Sequence, residues 1–285
     1  MAVTLDPRIM NPGVQIRVGY ELSYSFPQPT PIILTLCVHY TRASDMLRPD
    51  HLLTNPSIPL RAYRDGFGNW CHRMVAPAGE LRIWADGLVN DSGLPERRVE
   101  EAEQHAVDSL PDDVLVFLLG SRYCETDRFH EIAWRLFEKT PPGFRRVQAI
   151  CDYVHGLLTF GYEYASPTKT AFEVYSDRRG VCRDYAHLAL TLCRCMNIPV
   201  RYCTGYLTDI GVPPPYAPMD FAGWFEAYLS GAWHTFDPRN NTPRIGRILI
   251  ARGRDAADVA LNTTFGPNTL KGFKVWAHDA RFAPD

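Results

Sequence analysis

The chain lacks any apolar run near the roughly 20 residues that span a bilayer, which argues against a transmembrane helix. Its opening, Met1-Ala2-Val3-Thr4-Leu5-Asp6-Pro7-Arg8, lacks the apolar stretch of a secretory signal. It lacks an excess of either charge: 30 Lys and Arg face 32 Asp and Glu, a formal net charge of −2. That balance argues against nucleic acid or an anionic membrane as the main partner. There is no P-loop, no dinucleotide glycine fingerprint and no His-Glu-x-x-His. Cys193 and Cys195 form Cys-x-Cys without a matching second pair at zinc-ligand spacing. The expectation is a cytoplasmic protein that uses neither metal nor cofactor.

What is present begins with eight cysteines, at 37, 71, 124, 151, 182, 193, 195 and 203. In a chain of 285 residues without a secretory signal, free thiols are expected rather than disulfides. Cys151 falls on the apolar face of a predicted helix and reads as core filler.

Residues 14–26 alternate apolar and mostly polar, from Val14 through Phe26, which predicts a long half-buried strand. Further strands are expected at Ile32–Tyr40, Leu60–Arg64, Trp70–Val75 and Glu80–Val89, with a turn at Asp65-Gly66-Phe67-Gly68. Residues 1–95 therefore read as a β-sandwich domain, and 96–126, charged and marked by Pro111, as a connection. Residues 127–285 read as an α+β unit of helices followed by an antiparallel sheet. Its helices are Phe129–Phe137, capped by Asp127, then Phe144–Leu158, then one starting near Cys182. Its strands are Val200–Leu207, Trp224–Leu229, Trp233–Asp237 and Ile248–Ala251, with a two-residue turn at Ser230-Gly231.

Cys182 stands in Arg179-Gly180-Val181-Cys182-Arg183-Asp184-Tyr185-Ala186-His187-Leu188, just after a glycine and at the start of a helical pattern. A thiol at the positive end of a helix dipole is biased toward thiolate, which suits a nucleophile. Such a cysteine on a sheet is similar to the papain-like arrangement, where a strand His takes the proton and an Asp or Asn orients the His.

Three segments resemble the transglutaminase-like superfamily, in order and across most of the chain. They are Gly180 to Leu188, Ile198 to Tyr206, and Trp224-Phe225-Glu226-Ala227-Tyr228 followed by Trp233-His234-Thr235-Phe236-Asp237-Pro238. The β-rich N-terminal part is similar to that of bacterial members. The resemblance implies a cysteine hydrolase acting on an amide, peptide or isopeptide bond, with Cys182 as nucleophile and Asp237 as the orienting acid. It also implies a histidine two residues before the tryptophan. This chain reads Asp220-Phe221-Ala222-Gly223-Trp224, with Ala222 in that place. The alternative reading is therefore a non-catalytic module that keeps the fold and binds a peptide or protein.

Other histidines are poor substitutes. A Ser230-Gly231 turn pairs Ala227 with His234, which puts His234 on the face opposite Ala222 and roughly 16 Å away along the ladder. His187 lies about 140° round the helix from Cys182 and reads as structural. His155 suits the end of its helix. Arg179 and Arg183 flank the thiol and, with Trp224, are candidate substrate contacts. Asp184 reads as a helix-start carboxylate. Arg244, Arg247, Arg252 and Arg254 read as the outer face of an edge strand, with a carboxylate- or phosphate-binding face as the alternative.

Overall fold

The computed structural model describes residues 13–282; the opening Met1–Arg8 lies outside them. The 13-residue strand β1 (Val14–Phe26) forms where the alternation predicts it, with Ile16, Val18 and Tyr20 fully buried. It lies antiparallel between β7 (Gly79–Asp91) and β15 (Thr269–Asp279). Short strands β3 (Met46–Arg48) and β4 (Leu53–Asn55) add to β7. A second sheet runs β14-β2-β6-β5, where β2 is Thr30–Leu34, β5 Arg61–Arg64, β6 Trp70–Ala76 and β14 Asn262–Thr264. The hairpin expected around Asp65 is β5–β6; Asp65 accepts from the Phe67 and Asn69 N–H groups, both at 2.9 Å. The two sheets share one hydrophobic core, which fits the expected sandwich.

One expectation needs correction. Residues 127–285 do not all belong to one unit: β14 pairs with β2 and β15 with β1, so the chain's last strands complete the N-terminal sheets. The second strand also stops at Leu34 rather than running to Tyr40.

The connection carries a short helix, α1 (Asp112–Leu115). Helices α2 (Thr126–Phe137), α3 (Phe144–Leu157) and α4 (Ala171–Asp177) then pack around α5 (Cys182–Cys195). Asp127 is not the cap of α2; the helix starts one residue earlier, so Asp127 sits in its first turn. From Asp184 onward α5 is buried, because helices cover one side and a sheet the other. Even Arg194 is 3% exposed, and its guanidinium donates to the carbonyls of Phe117 and Val200, both at 3.1 Å. Those bonds satisfy a charge that would otherwise be costly to bury.

The sheet is β12-β11-β10-β13: Ala232–Phe236, Ala222–Leu229, Val200–Leu207 and Arg247–Gly253. Ala227 pairs with His234, the register set by the tight turn. Phe225 stacks on Phe236 at 5.7 Å, and Phe144 of α3 packs against Phe236 at 5.2 Å, so this face meets the helices. A two-stranded parallel pair, β8 (Thr159–Phe160) with β9 (Arg179–Gly180), delivers the chain into α5.

The β10–β13 register shifts at Gly205, where a Cβ would lie 2.1 Å from the Ile248 carbonyl oxygen. Gly205→Ala therefore forces two backbones apart. Its expected cost is about 3 kcal/mol, the upper end for overpacking. Denaturant unfolding checks this: the midpoint falls with the slope unchanged. A midpoint equal to wild type would mean that the strands do not approach this closely.

Candidate active site

Gly180 lets the chain turn tightly into α5, since a Cβ there would meet the Asp184 side chain at 2.6 Å. Val181 precedes the helix in extended backbone, and its N–H donates to Asp184 at 2.9 Å. Asp184 is fully buried and pairs with Arg183 at 3.1 Å, which also donates to the Ser166 carbonyl. Together these bonds hold the first turn in place. Asp184 thus satisfies an orphan donor at a helix start.

Cys182 is half-buried, whereas the other seven cysteines are buried; all eight are unpaired. Burial pushes the Cys182 thiol up to about 11. The Gly223 and Arg183 backbone N–H groups pull it down, and the Asp220 and Asp237 carboxylates push it up. The helix start was expected to favour thiolate. Desolvation and two carboxylates outweigh two N–H donors, so the thiol holds its proton at neutral pH.

Asp237 follows β12 and is 7% exposed. Its Oδ1 accepts from the backbone N–H groups of Arg239 at 3.1 Å and Asn240 at 3.0 Å. Its Oδ2 accepts from Asn240 Nδ2 and Arg247 Nη2, both at 2.8 Å. Burial alone would raise its pKa, but Arg247 and the Asn240 donors prevail and hold it below the ordinary value. Arg247 is the main correction to the arginine cluster: its side chain is 6% exposed, bonded to both Asp237 and Glu96. Arg244 pairs with Asp209 and Arg254 with Asp258.

Cys182 lines two cavities. The wider, about 530 Å³, opens between the sandwich and the core and includes Tyr202, Phe221 and Phe273 in its walls. The narrower, about 120 Å³, brings Cys182 together with Ala222, Asp220 and Asn240. Asp220 borders both. Burial raises its carboxyl pKa, and its only hydrogen bond among the described residues comes from the Phe221 N–H at 2.7 Å. Trp224, expected near the substrate, is buried elsewhere, under the Arg247 guanidinium at 4.7 Å and in a separate cavity with Arg252. Arg179 is exposed and lies over Tyr164. Arg183 lines the wider cavity.

None of the three histidines considered above lines either cavity. His234 bonds the Leu229 carbonyl at 3.1 Å. His155 donates through Nδ1 to the Pro238 carbonyl at 3.1 Å, which steadies the turn after Asp237. His187 is buried, stacks on Tyr123 at 5.2 Å, and accepts from the Ala256 N–H at 3.1 Å. Among the described residues no cluster of three or more His, Cys, Asp or Glu is arranged to hold a metal.

Residues 131–238 match the model of the transglutaminase-like superfamily. An uncharacterized protein of Mycobacterium tuberculosis (strain H37Rv) is 32% identical over 224 residues, covering 69% of this chain and 68% of that protein. The chain belongs to the transglutaminase-like superfamily.

An uncharacterized protein of Mycobacterium leprae (strain TN) is 41% identical over 86 residues, only 29% of this chain and 30% of that one. The crystal structure of a candidate cysteine protease from Cytophaga hutchinsonii superposes with a TM-score of 0.80. It is 28% identical and covers 96% of this chain and 92% of its own. The transglutaminase-like core thus comes with its strand-rich N-terminal partner. Two site residues escaped the sequence reading. Asn240 carries no signal of its own and Asp220 stands only as part of the segment before Trp224, and only the folded chain brings both into a cavity wall with Cys182.

Arg247→Ala would leave Asp237 a buried, uncompensated charge, and a loss of about 3–5 kcal/mol is expected. The folded pKa of Asp237 is depressed, so its ion pair stabilises the fold above the unfolded carboxylate value of about 3.9. That stabilisation disappears as pH falls through the folded value. Denaturant midpoints from pH 7 down to pH 3 check both points. Arg247→Ala should start lower and lose less on acidification than wild type; parallel curves would contradict the ion pair.

Proposed function

We propose that this protein is a cysteine hydrolase that cleaves an amide, peptide or isopeptide bond. The observation that carries this reading is the position of Cys182, half-buried at the meeting point of two cavities while every other cysteine is enclosed. Sγ attacks the carbonyl carbon, and the electron pair moves to the oxygen. Backbone N–H groups at the start of α5 stabilise that oxyanion. The C–N bond then breaks, the amine leaves with a proton, and water hydrolyses the thioester back to the free thiol and a carboxylic acid.

The proton needs an acceptor, and Ala222 cannot be one. Asp220 shares both cavities with the thiol, and its raised pKa makes it a better base than an ordinary carboxylate. Asp237 has its lone pairs filled by Arg239, Asn240 and Arg247, so its role is to fix Asn240 in the wall of the narrower cavity. The substrate is a peptide or protein. The site of action is the cytoplasm, where eight unpaired thiols persist. Among the described residues no helix is long and apolar enough to cross a membrane.

A second reading has two observations behind it: Ala222 in the histidine place and a thiol pushed up by burial. In that reading the same cleft binds a peptide without cleaving it.

Two variants separate the readings. Ala222→His restores a base in the cavity that Cys182 lines, and should raise Cys182-dependent hydrolysis by about 10²–10⁴-fold. Hydrolysis that persists in Cys182→Ser, or no hydrolysis in Ala222→His, would discard the enzyme reading. Asp220→Asn should act in opposite directions on two measurements. Removing its charge lowers the thiol pKa and speeds alkylation of Cys182, while removing the base slows peptide hydrolysis by roughly 10²-fold. Hydrolysis that accelerates with alkylation would show that Asp220 is not the base.

A further inference from the structure

The two cavities differ in size and in chemistry, and Cys182 divides them. A scissile carbonyl held at Sγ must leave one flank of the substrate on each side. The narrower cavity carries more charge, with Asp209, Arg239 and Arg244 in its wall beside apolar residues such as Phe160 and Met219. The wider one, at about 530 Å³, is within the range that encloses a small organic group. Its core-side wall includes Tyr202 and Phe221, with the polar Ser166 and Thr204 among their neighbours. Its other wall belongs to the sandwich: Leu22 and Tyr24 on β1, Leu270 and Phe273 on β15.

Those side chains are placed by the fold for contact. Leu270 sits opposite Tyr24 and Phe273 opposite Leu22 across the β1–β15 ladder. Phe273 meets Phe221 edge-on at 6.0 Å, and Phe221 is backed by Tyr206 at 5.4 Å and Tyr20 at 6.2 Å. Leu270 and Phe273 remain 49% and 44% exposed beside this opening, apolar surface that a ligand would cover. Arg183 and Asp220 are the charged side chains in the lining, and Arg183 is already paired with Asp184.

We propose that the wider cavity is a specificity pocket, walled by the sandwich, that selects substrates with a large apolar side chain next to the bond attacked by Cys182. This rests on the hydrolase reading for the chemistry at Cys182, but not for the binding. It gives the N-terminal sheets and the returning strand β15 a part in choosing the substrate.

The test is alkylation of Cys182 in the full chain, which needs no turnover. Two reagents are compared, N-(2-phenylethyl)iodoacetamide and N-(2-carboxyethyl)iodoacetamide, each rate divided by its rate with free cysteine. The pocket predicts a ratio of at least about tenfold in favour of the phenyl reagent, as burial of an aromatic group allows. Leu270→Asp and Phe273→Asp, at half-exposed positions, should each bring that ratio close to one. A wild-type ratio near one overturns the pocket. A ratio unchanged in both variants overturns the part assigned to β15. Selective labelling without any measurable peptide hydrolysis would reject the hydrolase reading and leave the pocket standing.

Discussion

The Arg247 guanidinium is the interaction on which the site depends. It is buried on the last strand of the core sheet and bonds Asp237 after β12, Glu96 in the connection from the sandwich, and the face of Trp224 on β11. A buried cation is expensive unless paired and hydrogen-bonded, and here two carboxylates meet it. In return the turn after Asp237 is fixed, Asn240 is held at the cavity wall, and the connection is tied to the core. The position of the site and the seating of the two halves share one charge cluster.

The electrostatics at Cys182 follow from competition between local and tertiary effects. A helix start and two backbone N–H groups favour the thiolate. Burial and two carboxylates favour the thiol, and they prevail. In the arrangement typical of the family, an imidazole would accept the proton and leave a positive partner beside the sulfur. Ala222 removes that partner, so the chemistry proposed for this chain depends on a carboxylate across the cavity and is favoured by alkaline conditions.

Much of this was legible in the sequence where the signal is local. The alternation of residues 14–26 predicted β1 to the residue, because a half-buried strand needs that period. The Ser230-Gly231 turn fixed the pairing of Ala227 with His234, and that register removed His234 from contention. The strand β15 was not legible: its first half is exposed, and its partner β1 lies some 250 residues earlier in the chain. Arg247 read as surface because arginines usually are, and its partner Glu96 is 151 positions away. The thiol pKa was not legible either, because the sequence displays the helix and not the wall that desolvates the sulfur.

The central claim is that Cys182 is a nucleophile facing a substrate cleft, and covalent capture tests it most directly. The protein would be incubated at pH 9 with an activated aryl ester of an N-acylated phenylalanine, quenched in acid, and measured by intact and peptide mass spectrometry. The account predicts one acyl adduct per chain, located on Cys182 as a thioester and absent from Cys182→Ser. No adduct, or acylation spread over other residues and undiminished in Cys182→Ser, would contradict it.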